Sequence, residues 1–326
     1  MRAARCRAYG DPETVVAVED VPAPVARAGE VVVDVAAASV NYPDVLLVRN
    51  EYQVSIAPPF TPGSDFAGTV HRVGDGVADF AVGDRVCGTV FVGAFAEQVA
   101  ASTAMLMRVP AAVDFVTAAA FPVTYSTAYD ALRMTAAVQP GETVLVLGAA
   151  GGVGSAAVEL AKVLGARVIA AASSEAKLDA CRRLGADETI DYTAPDLKGR
   201  LKAVAGPGID VVIDPVGGPY SEPALRAMAI GGRFVVVGFA SKEIPRIPLN
   251  LVLLKGVEIR AYDAAKVWQQ RPAETRRHRD ELLALLAAGT IRPLVSATHP
   301  LAEAAAALRA VFERRAVGKV VVEPGR

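Results

Sequence analysis

The chain has 326 residues, of which 52% are hydrophobic and 21% charged, so it is long enough for two globular domains. A formal net charge of −1 gives no overall field that favours nucleic acid or an anionic membrane. Three widely spaced cysteines argue against a disulfide framework, and the lack of long apolar runs argues against a signal peptide or membrane span, so we expect a cytoplasmic protein.

The first third of the chain predicts short strands separated by turns. Gly, Pro and Asp turn signals divide four segments of β-rich pattern: Glu30–Val40, Ala67–Val77, Gly83–Val90 and Ala94–Ala101. This pattern continues to about Val109 and indicates a small, barrel-like β domain.

Beyond Ala111 the periodicity becomes helical, with a break near Pro122, and strands then alternate with helices. The predicted strands are Thr143–Leu147, Arg167–Ala171, Asp210–Ile213 and Arg233–Val237. The predicted helices are Gly152–Leu164, Glu175–Leu184 and Ser221–Ala229. Alternation of this kind predicts an α/β fold with a doubly wound parallel sheet covered on both faces.

The last part of the chain returns to mixed structure. Helices are predicted near Ala273–Ala288 and Leu301–Arg314, followed by a strand at Val317–Val322. We expect this part to rejoin the first domain, which gives three segments: residues 1–118, 119–262 and 263–326.

A glycine-rich turn joins the first strand of the alternating region to its helix. Residues Ala149–Gly154 match the pattern G-x-G-x-x-G, with alanine in the place of the first glycine. Gly151 lets the backbone approach a pyrophosphate, and the helix N-terminus offers free N–H groups to it. The predicted cofactor contacts are Ala150, Gly151, Gly152, Val153 and Gly154; the alternative is a purely structural turn.

The end of the second strand indicates which nicotinamide cofactor binds. NAD-binding proteins place an acidic residue there, about 20 residues after the glycines, but this chain has Ala171–Ser174. Ser174 can donate a hydrogen bond to a 2′-phosphate, Lys177 can supply positive charge, and Ser173 and Tyr192 can line the same pocket. The sequence favours NADPH over NADH, with a solvated helix lysine as the alternative interpretation of Lys177.

Motifs along the whole chain resemble one family. They are NYPDVLLVRNEY at 41–52, PFTPGSDFAGTV at 59–70, VGDRV at 82–86, AAAFPVTYSTAYDAL at 118–132, GAAGGVG at 148–154, DPVGG at 214–218 and GKVVV at 318–322. Together they resemble the zinc-independent branch of the medium-chain dehydrogenase/reductase superfamily, the NADPH:quinone oxidoreductases or zeta-crystallin-like proteins. The resemblance implies a GroES-like β-barrel catalytic domain combined with a Rossmann domain.

The resemblance also implies a site without metal. Zinc-dependent members use Cys, His and a further Cys or Asp as ligands. Here Ser64 stands in the place of the histidine, and Asn41 and Tyr42 stand in that of the cysteine. We therefore predict no metal, and hydride transfer to an acceptor that is already electrophilic, either a quinone or an α,β-unsaturated carbonyl compound.

Further site residues follow from the resemblance. Asn41 is expected beside the nicotinamide and the acceptor, with an Asx turn before Pro43 as the alternative. Tyr52 corresponds to a tyrosine that is proposed to donate a proton in related enoyl reductases; the alternative is a residue that only lines the pocket. The remaining predicted cofactor contacts are Thr127, Val216, Gly217, Gly238, Phe239 and Lys319. Lys319 would neutralise a cofactor phosphate, unless it is an exposed strand lysine.

Two other functions stay open at this point. Tyr52 and the arginine-rich segment at residues 269–281 suggest an enoyl- or acryloyl-CoA reductase, although a solvated helix face is the favoured interpretation of the arginines. An NADPH-binding sensor or structural protein with little catalysis is the alternative from another class. A homodimer is expected from family analogy, with Gly256–Tyr262 as an edge strand.

Overall fold

Short strands and turns make up the first third of the chain in the computed structural model, which describes residues 1–326. The strands are β1 (Arg2–Cys6), β2 (Val16–Asp20), β3 (Glu30–Ser39), β4 (Asp65–Val73), β5 (Arg85–Thr89), β6 (Gln98–Ser102) and β7 (Leu106–Arg108). The helices are α1 (Pro12–Val15), α2 (Tyr42–Arg49) and α3 (Phe115–Ala119). The four predicted strands are present with shifted ends. β1 and β2 are additional, since charged residues interrupt their apolar alternation.

Strands and helices alternate from residue 122 to residue 287. The strands are β8 (Thr143–Leu147), β9 (Arg167–Ala172), β10 (Glu188–Asp191), β11 (Ile209–Asp214), β12 (Met228–Val236) and β13 (Glu258–Ala261). The helices are α4 (Pro122–Asp130), α5 (Gly152–Val163), α6 (Glu175–Arg183), α7 (Leu197–Ala205), α8 (Ser221–Ala227), α9 (Leu249–Lys255), α10 (Ala264–Gln270) and α11 (Pro272–Ala287). A π-helical segment, Ala131–Ala136, follows α4.

The last elements are the strand β14 (Val295–Pro300), the helix α12 (Ala304–Phe312) and the strand β15 (Lys319–Glu323). β15 pairs parallel with β14 and antiparallel with β3, where Val321 lies opposite Ser39. The final strand therefore belongs to the same sheet as the early strand β3.

The residues group into two compact units. One unit consists of Met1–Val123 and Leu283–Arg326, and the other consists of Thr124–Leu282. The predicted divisions, after residues 118 and 262, fall earlier on the chain in both cases. The second difference has a clear cause, because His278 Nδ1 lies 2.6 Å from Asp130 Oδ1 and so ties α11 to the end of α4.

A six-stranded parallel sheet forms the centre of the second unit, with the strand order β10-β9-β8-β11-β12-β13. β8 and β11 lie in its middle and are almost continuously apolar, as strands covered on both faces are. The direction of the strand order reverses between β8 and β11. The carboxyl ends of strands at such a switch point are where open α/β sheets bind ligands.

β3 is the central strand of the sheet in the first unit. The strand order is β14-β15-β3-β4-β5-β7, and β6 also pairs with β3. Phe66 and Phe95 belong to the hydrophobic core that packs around this sheet. The register places Ser39 opposite both Asp65 on β4 and Val321 on β15. Three neighbouring strands therefore bring polar residues to one corner of the sheet.

The helices and cysteines give two further facts. None of the helices combines the length and the apolar character that crossing a membrane requires. Cys6, Cys87 and Cys181 are buried and form no disulfide. Burial raises the pKa of the Cys6 and Cys181 thiols to about 11, so both are protonated and unreactive at neutral pH.

Candidate functional site

The glycine turn of the second unit lies between β8 and α5. β8 is wholly buried, and after it the Gly151 N–H donates to the Gly148 carbonyl at 2.9 Å, which closes the turn. α5 follows, and the Ser155 N–H donates to the Gly151 carbonyl at 2.8 Å. The N–H groups of Gly152–Gly154 precede that bond along the helix, so they have no intrahelical acceptor and can bind an anion.

Two glycines of this turn differ in the space around them. A Cβ on Gly154 would lie 2.1 Å from the Gly148 carbonyl oxygen, so helix packing requires glycine there. A Cβ on Gly151 would meet that oxygen at 3.3 Å and nothing else within 4 Å. Gly151 is also exposed, so its missing side chain leaves room for a ligand. The turn therefore fits the pyrophosphate of a dinucleotide.

The end of β9 presents hydroxyl groups and an amine. Lys177 Nζ donates to Ser173 Oγ at 3.2 Å, and both residues are half-buried. Ser174 is exposed and immediately precedes α6. The nearest acidic residue in the sequence, Glu175, forms an ion pair with Arg182 at 2.7 Å. Positive charge and hydrogen-bond donors are thus available at this strand end, as a 2′-phosphate requires.

Tyr192 lies beside the same strand end. Its N–H donates to the Ala172 carbonyl at 3.0 Å, and its ring packs on Tyr220 with the ring centroids 4.3 Å apart. Tyr192 is buried, so its ring forms a wall at this place. Tyr220 was not predicted, because no sequence pattern marks it apart from its position just after the DPVGG motif.

Asp214 at the end of β11 holds the loop that contains Val216 and Gly217. Its Oδ1 accepts hydrogen bonds from the N–H groups of both residues at 2.8 Å. Its Oδ2 accepts one from the hydroxyl of Ser221, the first residue of α8, at 2.6 Å. Burial raises the pKa of this carboxyl, and the hydrogen bonds oppose the shift. At the end of β12, the Gly238 N–H donates to the Asp214 carbonyl at 3.3 Å, and the next residue, Phe239, is exposed.

Helix α4 contributes buried residues to the second unit. Thr127 is buried there, and Tyr125 donates its hydroxyl to Glu159 on α5. Burial and the neighbouring carboxylate raise the pKa of Tyr125 well above its usual value, so the phenol stays protonated and keeps donating. This bond fixes α4 against the helix that follows the glycine turn.

A buried group of polar residues lies at the corner of the sheet in the first unit. It consists of Asn41, Asp44, Ser64, Asp65 and Lys319, and is named the polar cluster below. Asn41 Nδ2 donates to Ser64 Oγ at 3.0 Å and to Asp65 Oδ2 at 2.9 Å, and Asn41 Oδ1 accepts from Lys319 Nζ. Asp44 Oδ2 accepts from the backbone N–H of Asn41 at 2.7 Å.

Strand pairing brings the polar cluster together. Asn41 follows β3, Asp65 begins β4 and Lys319 begins β15, and these three strands are neighbours in the sheet. The Val40 N–H donates to the Val320 carbonyl at 2.9 Å, which holds the two chain segments side by side. Residues 278 positions apart in the sequence therefore meet through sheet register.

The polar cluster contains two carboxyl groups and one ammonium, all almost completely buried. Lys319 Nζ lies 3.6 Å from Asp65 Oδ2, which is an ion pair rather than a hydrogen bond. Burial lowers the pKa of Lys319, raises the pKa of Asp44 to about 7, and raises that of Asp65 above its usual value. Oδ1 of each aspartate has no hydrogen-bond partner. One ammonium can balance only one carboxylate, and the raised pKa of Asp44 favours a proton on that second acid.

The structure changes the interpretation of Lys319. The sequence predicts either a contact to a cofactor phosphate or an exposed strand position for this lysine. Its side chain is instead directed inward from β15, and its ammonium binds Asn41 and faces Asp65. The signal missed in the sequence was long-range, because only strand pairing places Lys319 next to Asn41.

Asn41 and Tyr52 lie at the start of α2 and beyond its end. The side chain of Asn41 bonds to Ser64 and Asp65 of the polar cluster, so its amide is engaged beyond a local Asx turn. Tyr52 is half-buried and packs against the hydrophobic core of the first unit. The predicted catalytic roles of both residues stay predictions.

The arginine-rich segment matches a solvated helix face. Arg271 and Arg277 face Glu274 at 3.5 Å and 3.9 Å. Arg279 instead is buried with its guanidinium 4.9 Å from the centre of the Trp268 ring. These contacts give no support to a clamp for the phosphates of a CoA ester.

Histidine, cysteine, aspartate and glutamate side chains form no group of three or more that could hold a metal ion. His71, His278 and His299 face one carboxylate each, at 3.0 Å, 2.6 Å and 2.8 Å. At the polar cluster, Asn41 Oδ1 and Asp65 Oδ2 face the ammonium of Lys319.

Two family models match the chain. They are "Alcohol dehydrogenase GroES-like domain" over residues 27–111 and "Zinc-binding dehydrogenase" over residues 152–277. The first match falls on the sheet of the first unit, and the second contains most of the parallel sheet. Together they confirm the predicted fold class, a Rossmann-type parallel sheet with a GroES-like β domain.

Similar proteins cover nearly the full length of the chain. It is 38% identical over 323 residues to quinone oxidoreductase-like protein 2 of Bos taurus, which covers 98% of this chain and 92% of that protein. The quinone oxidoreductase of Thermus thermophilus, also solved in complex with NADPH, matches with a TM-score of 0.86 at 36% identity and covers 99% of this chain and 100% of that one. CurK enoyl reductase matches with a TM-score of 0.88 at 30% identity, and the match covers 99% of this chain and 98% of that one.

Proposed function

Because this chain belongs to the quinone oxidoreductase family of the medium-chain dehydrogenases and reductases, we propose that it is an NADPH-dependent reductase that works without zinc. Its acceptor is a quinone or an α,β-unsaturated carbonyl compound. The observation that carries the proposal is the glycine turn followed by a strand end that offers Ser173, Ser174 and Lys177 and no acidic side chain. That combination favours a dinucleotide with a 2′-phosphate.

Residues of the second unit are assigned to the cofactor. The N–H groups of Gly152–Gly154 bind the pyrophosphate, and Gly151 leaves room for it. Lys177 and Ser174 bind the 2′-phosphate, and Tyr192 forms a wall of this pocket. The nicotinamide half is assigned to Thr127, Val216, Gly217, Gly238 and Phe239. When bound, NADPH supplies a hydride.

The type of acceptor follows from what the polar cluster offers. Asn41 and Ser64 are poor zinc ligands, and the ammonium of Lys319 already takes the cation position beside Asn41 and Asp65. Oxidation of an alcohol needs a strong electrostatic partner for the developing alkoxide. A quinone or an enone is already electrophilic, so the chain has only to orient it and to exclude water.

A second candidate is the reduction of an enoyl thioester. The similarity to CurK enoyl reductase favours it, and Tyr52 offers a side chain that can donate a proton. A phenol with an ordinary pKa of about 10 is a suitable weak acid for an enolate product. A reduced quinone can take its protons from water, so it does not need Tyr52.

The test is cofactor oxidation by the purified protein. NADPH and NADH are each supplied with a quinone, a simple enone and a short enoyl-CoA. We expect turnover with NADPH and roughly tenfold or more weaker use of NADH, since the 2′-phosphate gains charge-assisted hydrogen bonds. Preference for NADH would contradict the assignment of Lys177. Tight NADPH binding without turnover of any acceptor would indicate a sensor or structural protein.

Tyr52→Phe tests in the same assay whether the phenol donates the proton that an enolate product needs. We expect loss of enone and enoyl-CoA turnover with quinone turnover retained, because only the enolate needs the phenol proton. If the variant turns over each of the three acceptors as fast as the wild type does, Tyr52 only lines the pocket.

A homodimer formed through the edge of the parallel sheet is proposed as well. β13 is the last strand in the sheet order, so its outer edge offers free N–H and C=O groups. Leu249, Leu253 and Leu254 on α9 are 77%, 81% and 74% exposed, and Ile230 is 86% exposed. An apolar patch together with an open strand edge favours pairing with a second copy of the chain.

A further inference from the structure

Lys319 supplies the positive charge of the polar cluster, and we propose that it is a positioning residue whose ammonium fixes the side chain of Asn41 in one orientation for reduction. The inference rests on the proposed function, in which Asn41 contacts a ligand of the reaction. This role replaces the predicted contact to a cofactor phosphate, because Lys319 is 3% exposed and its Nζ donates to Asn41 Oδ1. Asp65 is the counterion of the ammonium.

The backbone on both sides of this contact is held in place. The Lys319 N–H donates to the Leu294 carbonyl at 2.7 Å. On the other side of β15, the Val40 N–H donates to the Val320 carbonyl at 2.9 Å. The backbone N–H of Asn41 is held by Asp44 at 2.7 Å. With the main chain fixed, the side-chain torsions of Asn41 alone decide which end of its amide faces the ammonium.

The two ends of the Asn41 amide have partners of opposite charge. Oδ1 faces the ammonium of Lys319, and Nδ2 faces the carboxylate of Asp65 at 2.9 Å. Turning the amide over would place its NH₂ group against the ammonium and its oxygen against the carboxylate. Both hydrogen bonds would be lost and two repulsive contacts would replace them in a buried setting. Lys319 and Asp65 therefore specify the orientation electrostatically.

This arrangement leaves no donor on the Asn41 side chain for a ligand. Both hydrogens of Nδ2 are used, by Ser64 and Asp65, and one of the two lone pairs of Oδ1 is used by Lys319. A ligand that touches this side chain therefore meets an acceptor. The matching group is a hydroxyl or an amide N–H, rather than the carbonyl oxygen of a quinone or an enone.

Lys319 also balances charge, and the test has to separate that role from positioning. Without the ammonium, Asp44 and Asp65 would be buried with no cation beside them, which destabilises the fold. Lys319→Met keeps the aliphatic stem and removes the charge. Asp65→Asn combined with Lys319→Met removes one charge of each sign, so it restores the net charge without restoring the donor to Asn41. Asp65→Asn alone is the control that shows how much the loss of this carboxylate itself changes kcat/KM.

The first experiment is a double-mutant cycle on turnover. We expect Lys319→Met and Asn41→Ala each to lower kcat/KM by about a hundredfold, the effect of a small misplacement at a reacting site. If Lys319 acts through Asn41, the double variant is no worse than either single one. Multiplied losses in the double variant would overturn the proposal. Lys202→Met, an exposed lysine on α7, is the matched control and should match the wild type.

The second experiment compares stability with activity. We expect Lys319→Met to lower Tm, and the added Asp65→Asn change to recover much of that loss while kcat/KM stays low. Recovery of both Tm and kcat/KM would show that Lys319 serves charge balance alone, and would overturn the positioning role.

Failure of the proposed function is recognised separately, since it appears as a wild-type protein that turns over no acceptor. The cycle is then measured on the Kd for NADPH, followed by fluorescence titration. Non-additive effects of Lys319→Met and Asn41→Ala on that Kd would support positioning, and additive or absent effects would overturn it.

Discussion

Single residues at the candidate sites are oriented by partners at very different distances along the chain. Lys177 is held by Ser173, four residues away, whereas Lys319 is held by Asn41, 278 residues away. Asp214 orients backbone N–H groups in the same way that the other partners orient side chains. At this scale the chemistry depends on which atoms are paired and which are open, so substitutions that change one or two atoms are the most informative.

Gly151 and Gly154 form a matched pair for testing the glycine turn. Gly154→Ala places a Cβ 2.1 Å from a backbone oxygen, and should lower the free energy of unfolding by about 1–3 kcal/mol. Gly151→Ala meets one atom at 3.3 Å, so it should fold normally while the Kd for NADPH rises by about tenfold. Thermal unfolding and fluorescence titration measure the two effects. Unchanged NADPH affinity in Gly151→Ala would contradict the assigned pyrophosphate site.

Lys177→Ala tests the choice between the two cofactors. The variant loses a charge-assisted hydrogen bond to the 2′-phosphate, worth about 1.5–3 kcal/mol, so the Kd for NADPH should rise at least about tenfold. The Kd for NADH should not change, because NADH lacks that phosphate. Titration of both cofactors checks this, with Lys202→Ala as the exposed control. Equal weakening for NADPH and NADH would place Lys177 outside the phosphate pocket.

Asp44 gives the stability of the protein a defined dependence on pH. Its pKa is about 7 in the folded chain, above the ordinary value near 3.9 that applies when the chain is unfolded. Between these values the folded state binds one proton more, so the stability from this group is complete below about pH 4 and is lost as the pH rises toward 7. Asp44→Asn cannot titrate. Its free energy of unfolding relative to the wild type should therefore improve between about pH 5 and about pH 7.5 in urea unfolding. A constant difference would contradict the raised pKa.

At the scale of elements, helix α4 is held by buried side-chain bonds whereas α9 and β13 are left uncovered. Tyr125 on α4 donates to Glu159, and Asp130 at its end accepts from Tyr262 at 3.0 Å and faces His278 at 2.6 Å. These bonds fix the helix that carries a predicted cofactor contact. The uncovered elements are the ones assigned to a second copy of the chain.

Leu253→Glu tests that assignment. The change puts a charge into the apolar patch on α9, where pairing would bury it without a partner, so a monomer is expected. Size-exclusion chromatography with light scattering measures the mass. Val25→Glu is the control, because Val25 is 71% exposed and lies in the first unit. A dimer that persists in Leu253→Glu, or a wild-type monomer, would contradict the proposed interface.

At the scale of the whole molecule, features with local causes could be predicted from the sequence. The strand β8, the glycine turn, α5 and β9 follow one another in the sequence, and their pattern predicted both the parallel sheet and the glycine turn. The family resemblance is confirmed as well. α9 was not predicted, because Leu251 is buried while Leu249, Leu253 and Leu254 are exposed, so apolar residues lie on both faces and give no amphipathic period to recognise.

The polar cluster could not be predicted in the same way. Asn41 and Ser64 were singled out as positions without zinc ligands, yet the pairing of Asp65 with Lys319 appears only once β15 lies beside β3. Contacts of this kind depend on which residues of distant strands lie opposite each other, and the local pattern of a single sequence does not reveal that. The position of Tyr220 against Tyr192 has the same cause, because the two rings come from different parts of the chain.

The late position of β15 in the chain also sets an order of assembly. The second unit is continuous from residue 124 to residue 282, so a ribosome releases all of its strands before Lys319 is made. Until then the end of β3 at Ala38 and Ser39 lacks its partner β15, and Asp44 and Asp65 have no cation. The polar cluster is therefore completed last, and a nascent chain can hold the folded second unit before the first unit gains its final strand.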